Sequence, residues 1–310
     1  MVATTSEPRL SVVIPCRNEA RDLPGQLRAL ATQTWDGWWE VVVADNGSTD
    51  GTAEVAATFR EALPRLRVVD AGDAPYRPHA CNAGALAAEG DALVFLDADD
   101  EVAPEYLVAM ARALQQHEFV GARLDNEFLN PEWVRGSRPN AQTDGLQDWH
   151  YLPIVAGCSM GMRRSTFLAL GGFDAGMQHG DDAELCFRAQ LAGVSLHFVP
   201  DAVVRYRYRQ RAREIFRQAR GYGRGAPALY RNYNSPVVTP ARKVERALRS
   251  LVWIVRRVPR LARRSVRAAV AWDAGYLVGW VEGSLWSSRY CQPGRLLSAG
   301  SARAPAAVKL

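Results

Sequence analysis

The stretch Val94-Phe95-Leu96-Asp97-Ala98-Asp99-Asp100 decides how the chain is read. An apolar run from Ala92 to Leu96 has the length and composition of a buried strand, and it ends on three carboxylates within four residues. Neighbouring carboxylates repel one another unless a cation lies between them, and a hard divalent ion takes one or two of them while keeping room for phosphate oxygens. The pattern predicts a metal and phosphate site past the carboxyl end of a strand, where the ligand crevice of an open α/β sheet lies. The ordinary alternative is a solvated acidic turn in which Asp100 caps the next helix. An EF-hand loop is excluded, because the sixth position counting from Asp97 is Val102 and not glycine.

Upstream, Leu10 to Ile14 and Glu40 to Ala44 read as two further strands, with helical spacing of Leu23, Leu27 and Leu30 between them, which makes a βαβ unit. A helix over 52–62, a strand over 66–69 and a short Ala-rich helix over 81–88 lead to the acidic strand. Strands alternating with helices predict a parallel sheet covered on both faces, with right-handed crossovers. Downstream, a helix over 104–116 and a strand over 119–124 precede a polar stretch, 126–149, that lacks periodicity and is expected to be a mobile loop. Residues 155–173 are glycine-rich, 181–192 have helical spacing, and 195–199 and 202–206 look like two more strands.

With 310 residues, 48% of them hydrophobic, the chain can bury a sizeable core. The first nine residues have no apolar stretch of signal-peptide type, and no 18-residue uncharged apolar run occurs, so the default expectation is a cytoplasmic protein. Five scattered cysteines without a CxxC pair argue against a disulfide framework or a zinc site. The net charge of +5 conceals a division: residues 1–204 carry −14 and residues 205–310 carry +19. Between Arg242 and Val270 an apolar stripe (Val244, Leu248, Leu251, Val255, Val258, Ala262) runs beside arginines 249, 256, 260, 263 and 267, with Pro259 expected to kink the helix. Such a region suits a helix lying on an anionic membrane surface, or equally a cover packed on the acidic part of the chain. Asp273 and Glu282 interrupt the apolar stretch 268–285 and argue against a membrane span.

Two acidic clusters sit at strand ends, Asp45 to Asp50 and Asp97 to Asp100. A carboxylate at a strand end can accept hydrogen bonds from a nucleobase or a ribose hydroxyl, although 48–52 also has the form of an Asx turn and helix cap. The segments Ser-Val-Val-Ile-Pro-Cys-Arg-Asn-Glu (11–19), Val-Ala-Asp-Asn-Gly-Ser-Thr-Asp-Gly-Thr (43–52), Ala-Cys-Asn-Ala-Gly (80–84), Val-Phe-Leu-Asp-Ala-Asp-Asp (94–100), Arg-Arg-Ser-Thr-Phe (163–167), Gly-Gly-Phe-Asp (171–174) and Asp-Asp-Ala-Glu-Leu-Cys-Phe-Arg (181–188) together resemble family 2 glycosyltransferases. Each motif alone is weak; their number and order across residues 10–206 carry the resemblance.

The resemblance implies a GT-A fold, in which a Rossmann-like nucleotide-binding sheet joins an acceptor subdomain. It implies a nucleotide-diphosphate sugar donor, Mn²⁺ or Mg²⁺ as cofactor, and inversion at the anomeric carbon. Pro15, Arg17 and Glu19 would line the nucleotide pocket, with Asp45 on the base and Asp97 on the ribose. Asp99, closing the Asp-x-Asp (DXD) motif, would hold the metal, and Asp182 would be the general base for the acceptor hydroxyl. Two positions depart from the family pattern: Cys81 stands where Arg is common, which passes diphosphate contact to Arg77 or His79, and Tyr206 stands where a metal-binding His is frequent. The expected division is a flexible N-terminus (1–9), a catalytic domain (10–206, its nucleotide-sugar half 10–100 and acceptor half 101–206), a basic amphipathic helical region (207–297) and a disordered tail (298–310).

Other readings stay open at this point. A retaining transferase shares the fold, and a nucleotidyltransferase shares the sheet, metal and nucleotide, though 15–19 lacks that class's glycines and lysine. An Arg-rich nucleic-acid-binding module is the non-enzymatic alternative. Among weaker features, His179 reads as a loop histidine beside the acidic pair, Trp35, Trp38 and Trp39 as packing residues, and glycines 221, 223 and 225 as no phosphate loop, since they follow helical spacing. The acceptor, whether lipid-linked, glycan or small molecule, would be selected by 126–180. The expected location is the cytoplasm, with peripheral attachment to the inner face of the membrane.

Overall fold

The computed structural model describes residues 7–63, 65–139, 142–149, 151–233 and 240–290. The expected tail over 298–310 and most of the expected N-terminal arm lie outside the described residues. The first half runs β1 (Leu10–Cys16), α1 (Leu23–Ala31), β2 (Trp39–Asp45), α2 (Thr52–Ala57), β3 (Leu66–Asp70), α3 (Arg77–Ala87) and β4 (Ala92–Phe95). It continues with β5 (Glu101–Val102), α4 (Tyr106–Gln116), β6 (Phe119–Asp125), α5 (Glu132–Arg135), β7 (Gln147–Asp148), β8 (Pro153–Ile154), β9 (Met160–Arg163), α6 (Arg164–Ala169), α7 (Asp181–Leu191) and β10 (Leu196–Arg205). Three helices close it: α8 (Ala212–Asn232), α9 (Pro240–Arg257) and α10 (Arg264–Tyr290).

Eight strands form one sheet in the order β3-β2-β1-β4-β9-β6-β10-β5. Alternation along the strands sends side chains to two cores. Val12, Ile14 and Val94 join Leu23, Leu27 and Leu30 of α1 and Tyr106 and Met110 of α4 on one face. Val13, Leu93 and Phe95 join Cys81 and Ala85 of α3, Phe167 of α6 and Phe187 of α7 on the other. Phe95 is the centre of the second core, with Phe167 and Phe173 rings at 5.2 and 5.1 Å.

The expected parallel sheet is only partly parallel. The strands β1 to β4 pair in parallel, but β9 enters antiparallel between β4 and β6 and joins the two halves of the sheet. Its four residues, Met-Gly-Met-Arg, carry no β-branched signal, and Gly161 packs under the Met110 side chain. The two strands expected over 195–206 are one strand, β10, broken in register between Val199 and Val203 where Pro200 sits. The stretch expected to be a mobile loop, 126–149, is pinned where it is described. Asn130 donates to the carbonyls of Asn126 and Tyr206, Gln142 donates to Ala122 O, and Val134 is buried. Its polar side chains satisfy backbone groups, which is why no apolar period betrayed the order.

The C-terminal region divides in two. Helix α10 lies along α8 so closely that a Cβ on Gly275, Gly279 or Gly283 would strike the backbone of Phe216, Arg220 or Arg224, and one on Gly223 would strike Tyr276 O. Glu282 pairs with both Arg220 and Arg224, at 2.6 Å from Arg224 Nε. Helix α9 is different: Leu248, Leu251, Val252 and Val255 are between 48% and 58% exposed. The kink expected at Pro259 is a full break, a short 3₁₀ turn over Val258–Arg260. No described helix is long and apolar enough to cross a membrane.

Candidate active site

Strand β1 connects to β2 on one side, while the chain crosses from β3 to β4 on the other, so β1 and β4 flank the point where strand order reverses. The crevice at the carboxyl ends of these strands is where α/β sheets take ligands, and the predicted nucleotide residues gather there. Pro15 pairs with Ala44 at the end of β1, Arg17 is exposed just beyond it, and Asp45 ends β2 and accepts from Ser48 N–H at 3.0 Å. The loops after β1 and β2 are stitched together: Asn18 N–H donates to Ser48 Oγ, Thr49 N–H to Asn18 Oδ1, Glu19 N–H to Thr52 Oγ1 and Ala20 N–H to Asp50 Oδ2. Segment 46–52 therefore shapes the pocket as well as capping α2. Asn46 is buried and donates to Ala71 O and Ala74 O.

The acidic strand end holds its three carboxylates differently. Asp97 is half-buried and accepts from Arg77 Nε at 3.2 Å. Asp99 is buried and pairs with Arg209 Nη1 at 2.7 Å. Asp100 turns inward, accepting from Arg207 N–H at 2.8 Å through Oδ1, while Oδ2 is buried without a partner. Burial raises the carboxyl groups of both Asp99 and Asp100; Arg209 opposes the rise at Asp99, whereas Asp99 itself adds to the rise at Asp100. Glu19 joins the cluster, pushed up to about 7 by burial and then by Asp99.

Two groups of side chains here carry atoms of metal-ligand type. Asp97, Asp100 and Cys158 bring one ligand atom each within 4.8 Å of one another. Cys158 is buried and its thiol pushed well up by burial, so it stays protonated, and a soft sulfur donor suits neither Mg²⁺ nor Mn²⁺. Asp97 and Asp99 are hard oxygen donors of the kind such an ion takes, with Arg209 paired to Asp99. Tyr206, at the position where a histidine ligand is frequent, is half-buried with its ring 5.5 Å from the Arg138 guanidinium, and burial pushes its phenol well up, so it is no equivalent of an imidazole ligand.

At the far wall, α7 begins after Gly180, whose φ of 80° suits glycine, and its first turn carries Asp181, Asp182 and Glu184 against the positive helix end. Asp182 accepts from Gly157 N–H at 3.1 Å and Ala183 N–H at 2.8 Å. Asp181 is taken by Arg77 Nη1 at 2.9 Å; burial pushes its carboxyl up to about 6, with Arg77 opposing and Asp182 adding to the shift. Glu184 is held by Arg188 and by Tyr233 Oη at 2.6 Å. Arg77, the first residue of α3, thus bridges Asp97 and Asp181, 104 residues away in sequence from the latter. Its Nη2 is buried with no partner, a donor left over for an anion. The helix starts at Arg77, four residues before the expected 81, and that places the guanidinium in the crevice.

His79 makes no contact with the Arg77, Asp97 and Asp181 group among the described residues; its Nε2 lies 2.6 Å from Asp73 Oδ1. His179 is not a free loop residue but sits half-buried under α8, against Gly221 and Gly225. Trp39 is buried, Trp35 packs on the first core and Trp38 lies under Arg9 and Arg65, all away from the crevice. Arg207 and Arg209 escaped the sequence reading. Their only signal was a run of alternating arginines after a strand, which reads equally as a solvated basic segment.

Comparison with known proteins agrees with this geometry. Residues 11–171 match the family described as Glycosyl transferase family 2, and residues 92–291 match Glycosyl transferase family group 2. Among curated relatives, succinoglycan biosynthesis protein ExoA of Rhizobium meliloti is 30% identical over 226 residues, covering 69% of this chain and 68% of that protein. Among solved structures, the mannosyltransferase PcManGT of Pyrobaculum calidifontis, in complex with GDP-Man and Mn²⁺, superposes with a TM-score of 0.62 at 21% identity over 91% of this chain and 88% of that one. TarS 1–349 of S. aureus in complex with UDP-GlcNAc gives 0.56 at 16% identity, covering 91% of each. The fold is the GT-A fold, and the chain belongs to glycosyltransferase family 2.

Proposed function

We propose that this glycosyltransferase inverts the anomeric centre of a nucleotide-diphosphate sugar, with a divalent metal, Mn²⁺ or Mg²⁺, at Asp99 and with Asp182 as general base. The observation that carries the reading is the bridge made by Arg77, which ties the nucleotide-side carboxylate Asp97 and the α7 carboxylates to one crevice. Asp45 and Asp97 take the base and ribose, with Pro15, Arg17 and Glu19 around them. Arg77 offers its free Nη2 to the diphosphate. A metal bound at Asp99 offsets charge on the departing diphosphate. Asp182, aimed by two backbone N–H groups and left without a guanidinium, takes the acceptor hydroxyl proton as that oxygen bonds to the anomeric carbon and the bond to the diphosphate breaks. Asp181 is the poorer base because Arg77 occupies it.

Relatives of this fold are seen with GDP-Man and with UDP-GlcNAc, so the donor base is best found by trial. Melting temperature is measured against a panel of UDP-, GDP- and dTDP-sugars with and without Mn²⁺. A ligand that binds only the folded state raises it. One donor series should stabilise the protein, and only with the ion. Stabilisation by a nucleoside triphosphate with a sugar phosphate, and by no nucleotide sugar, would mean a nucleotidyltransferase.

The catalytic domain over 10–206 is completed, in this proposal, by a basic helical region that rests on an anionic membrane face at the inner side of the cell. The exposed stripe of α9 supports attachment over internal packing: Leu248, Leu251, Val252 and Val255 point away from the protein with Arg249 and Arg256 exposed beside them. Deleting everything after Asn234 is a poor test, since it removes α10 from α8. The variant Leu251→Glu/Val255→Glu should keep its melting temperature and lose co-sedimentation with phosphatidylglycerol liposomes at low salt. Liposome binding equal to wild type would remove α9 from the proposal.

A further inference from the structure

A cleft of about 560 Å³ opens beside the active crevice, lined by arginines from three distant segments: Arg21 before α1, Arg207, Arg209 and Arg211 after β10, and Arg264 and Arg267 at the start of α10. Two carboxylates, Asp22 and Glu214, share the lining. Six guanidinium groups round one opening repel one another, and from sequence the arginines after 204 form one undivided basic region, 205–310. Internal partners account for only half of them. Arg207 pairs with Glu101, Arg209 with Asp99 and, more loosely at 3.7 Å, Arg211 with Glu214. Arg21 and Arg264 have no carboxylate partner among the described residues, and Arg267 donates only to the carbonyls of Leu261 and Ala262. The cleft is therefore charged for an anion, and guanidinium forks suit phosphate oxygens in particular.

The remaining lining sets the kind of phosphate. Trp133, Tyr208 and Ala268 give one wall an apolar surface. Arg264 and Arg267 follow directly on the break that separates α10 from the exposed apolar stripe of α9. At the other end Arg209 reaches Asp99, so the cleft meets the donor crevice. We infer that the cleft binds the phosphate or diphosphate group of the acceptor, and that this acceptor is an amphipathic, lipid-borne phosphate. The inference rests on the transferase reading and names the acceptor class for it. Anion in the cleft would leave the apolar part of the molecule against Trp133, Tyr208 and Ala268, on the side where the chain runs to α9, and its polar end on the side of Arg209 and Asp99.

The test uses the full-length protein and binding, so that it does not depend on turnover. Calorimetry compares farnesyl phosphate, farnesol, inorganic phosphate and glucose 1-phosphate, and separately UDP and GDP with Mn²⁺, on wild type, Arg264→Gln and Arg264→Gln/Arg267→Gln. Arg264 makes no ion pair among the described residues, so its single variant remains informative even where loss of the Arg267 carbonyl contacts disturbs the fold. Farnesyl phosphate should bind wild type at least ten times more tightly than farnesol or inorganic phosphate, and lose about tenfold or more in the variants, with nucleotide affinity unchanged. Loss of nucleotide affinity with farnesyl phosphate unaffected would assign the arginines to the donor diphosphate and overturn the inference. Equal binding of glucose 1-phosphate and farnesyl phosphate would overturn the lipid source and leave a soluble phosphorylated acceptor. Retention on DNA, abolished in the double variant while farnesyl phosphate is ignored, would make the cleft a nucleic-acid contact. Failure of the transferase reading itself appears elsewhere, as absence of nucleotide-sugar hydrolysis by the wild type.

Discussion

The crevice has two acidic walls, and they are neutralised in opposite ways. At the end of β4, Asp99 is matched by a side chain, Arg209, that is 40% exposed and sits on a loop. At the start of α7, Asp182 is matched by the backbone N–H groups of Gly157 and Ala183. A guanidinium on a flexible stem can yield its place to a metal ion, whereas fixed backbone dipoles cannot leave. In the proposed mechanism, similar Asp pairs, Asp-Ala-Asp and Asp-Asp, serve an exchangeable charge in one case and an oriented base in the other.

The sharpest way to break this contrast is at the oriented base. Asp182→Asn keeps shape, although its single amide oxygen can replace only one of the two acceptors used by Gly157 N–H and Ala183 N–H, and it is too weak a base, so turnover should fall by about 10²–10⁴-fold with donor affinity little changed. Asp181→Asn is the control, read in the same steady-state assay. If Asp181→Asn is the inactive variant and Asp182→Asn is not, the roles on α7 are reversed.

A second experiment addresses the exchangeable charge. Asp99→Ala should abolish the Mn²⁺ dependence of donor binding and weaken that binding about tenfold or more, as read by calorimetry with nucleoside diphosphate. Retained affinity with unchanged metal dependence would move the metal to other residues, Asp97 and Asp100 being next in position.

The smallest effect concerns Glu19, which belongs to the exchangeable wall. Its carboxyl is raised from 4.5 to about 7, so the folded state holds a proton that the unfolded chain has already lost between those values. Stability therefore falls as pH rises through that window, and the full penalty is present above 7. Glu19→Gln should melt with wild type at pH 4, where both states are protonated, and above it at pH 8. A gap of the same size at both pH values would assign the effect to packing.

Much of the crevice was legible because its motifs lie at strand ends, where an apolar run stops on a carboxylate and both signals are local. Asp45 and Asp97 stand at such boundaries, whereas Asp182 lies in the first turn of α7 and is reached only through the resemblance of 181–188. What stayed hidden depended on long-range placement. Strand β9 lacks β-branched residues and earns its place only by lying between β4 and β6. Arg209 looks like any arginine of a basic segment until β10 and its loop return it to Asp99. His79 is paired with Asp73, six residues earlier, a contact that the motif around 80–84 does not signal. Opposing readings of the C-terminal region, cover or membrane helix, could not be separated by an amphipathic period alone, and they apply to different helices: α10 covers and α9 is exposed.

The glycines shared by α8 and α10 have a further consequence. Two helices joined through side chains adjust to a mutation by turning a rotamer, and each such contact costs conformational entropy to form. Where Gly275, Gly279 and Gly283 meet Phe216, Arg220 and Arg224, backbone lies on backbone and there is no rotamer to freeze or to turn. Close Cα–H···O approaches of this kind contribute about 0.5–1 kcal/mol each. The joint is thus cheap to assemble and intolerant of growth: a methyl group on Gly279 has no neighbouring side chain to push aside, and must displace a whole helix that carries two arginines of the cleft at its first turn.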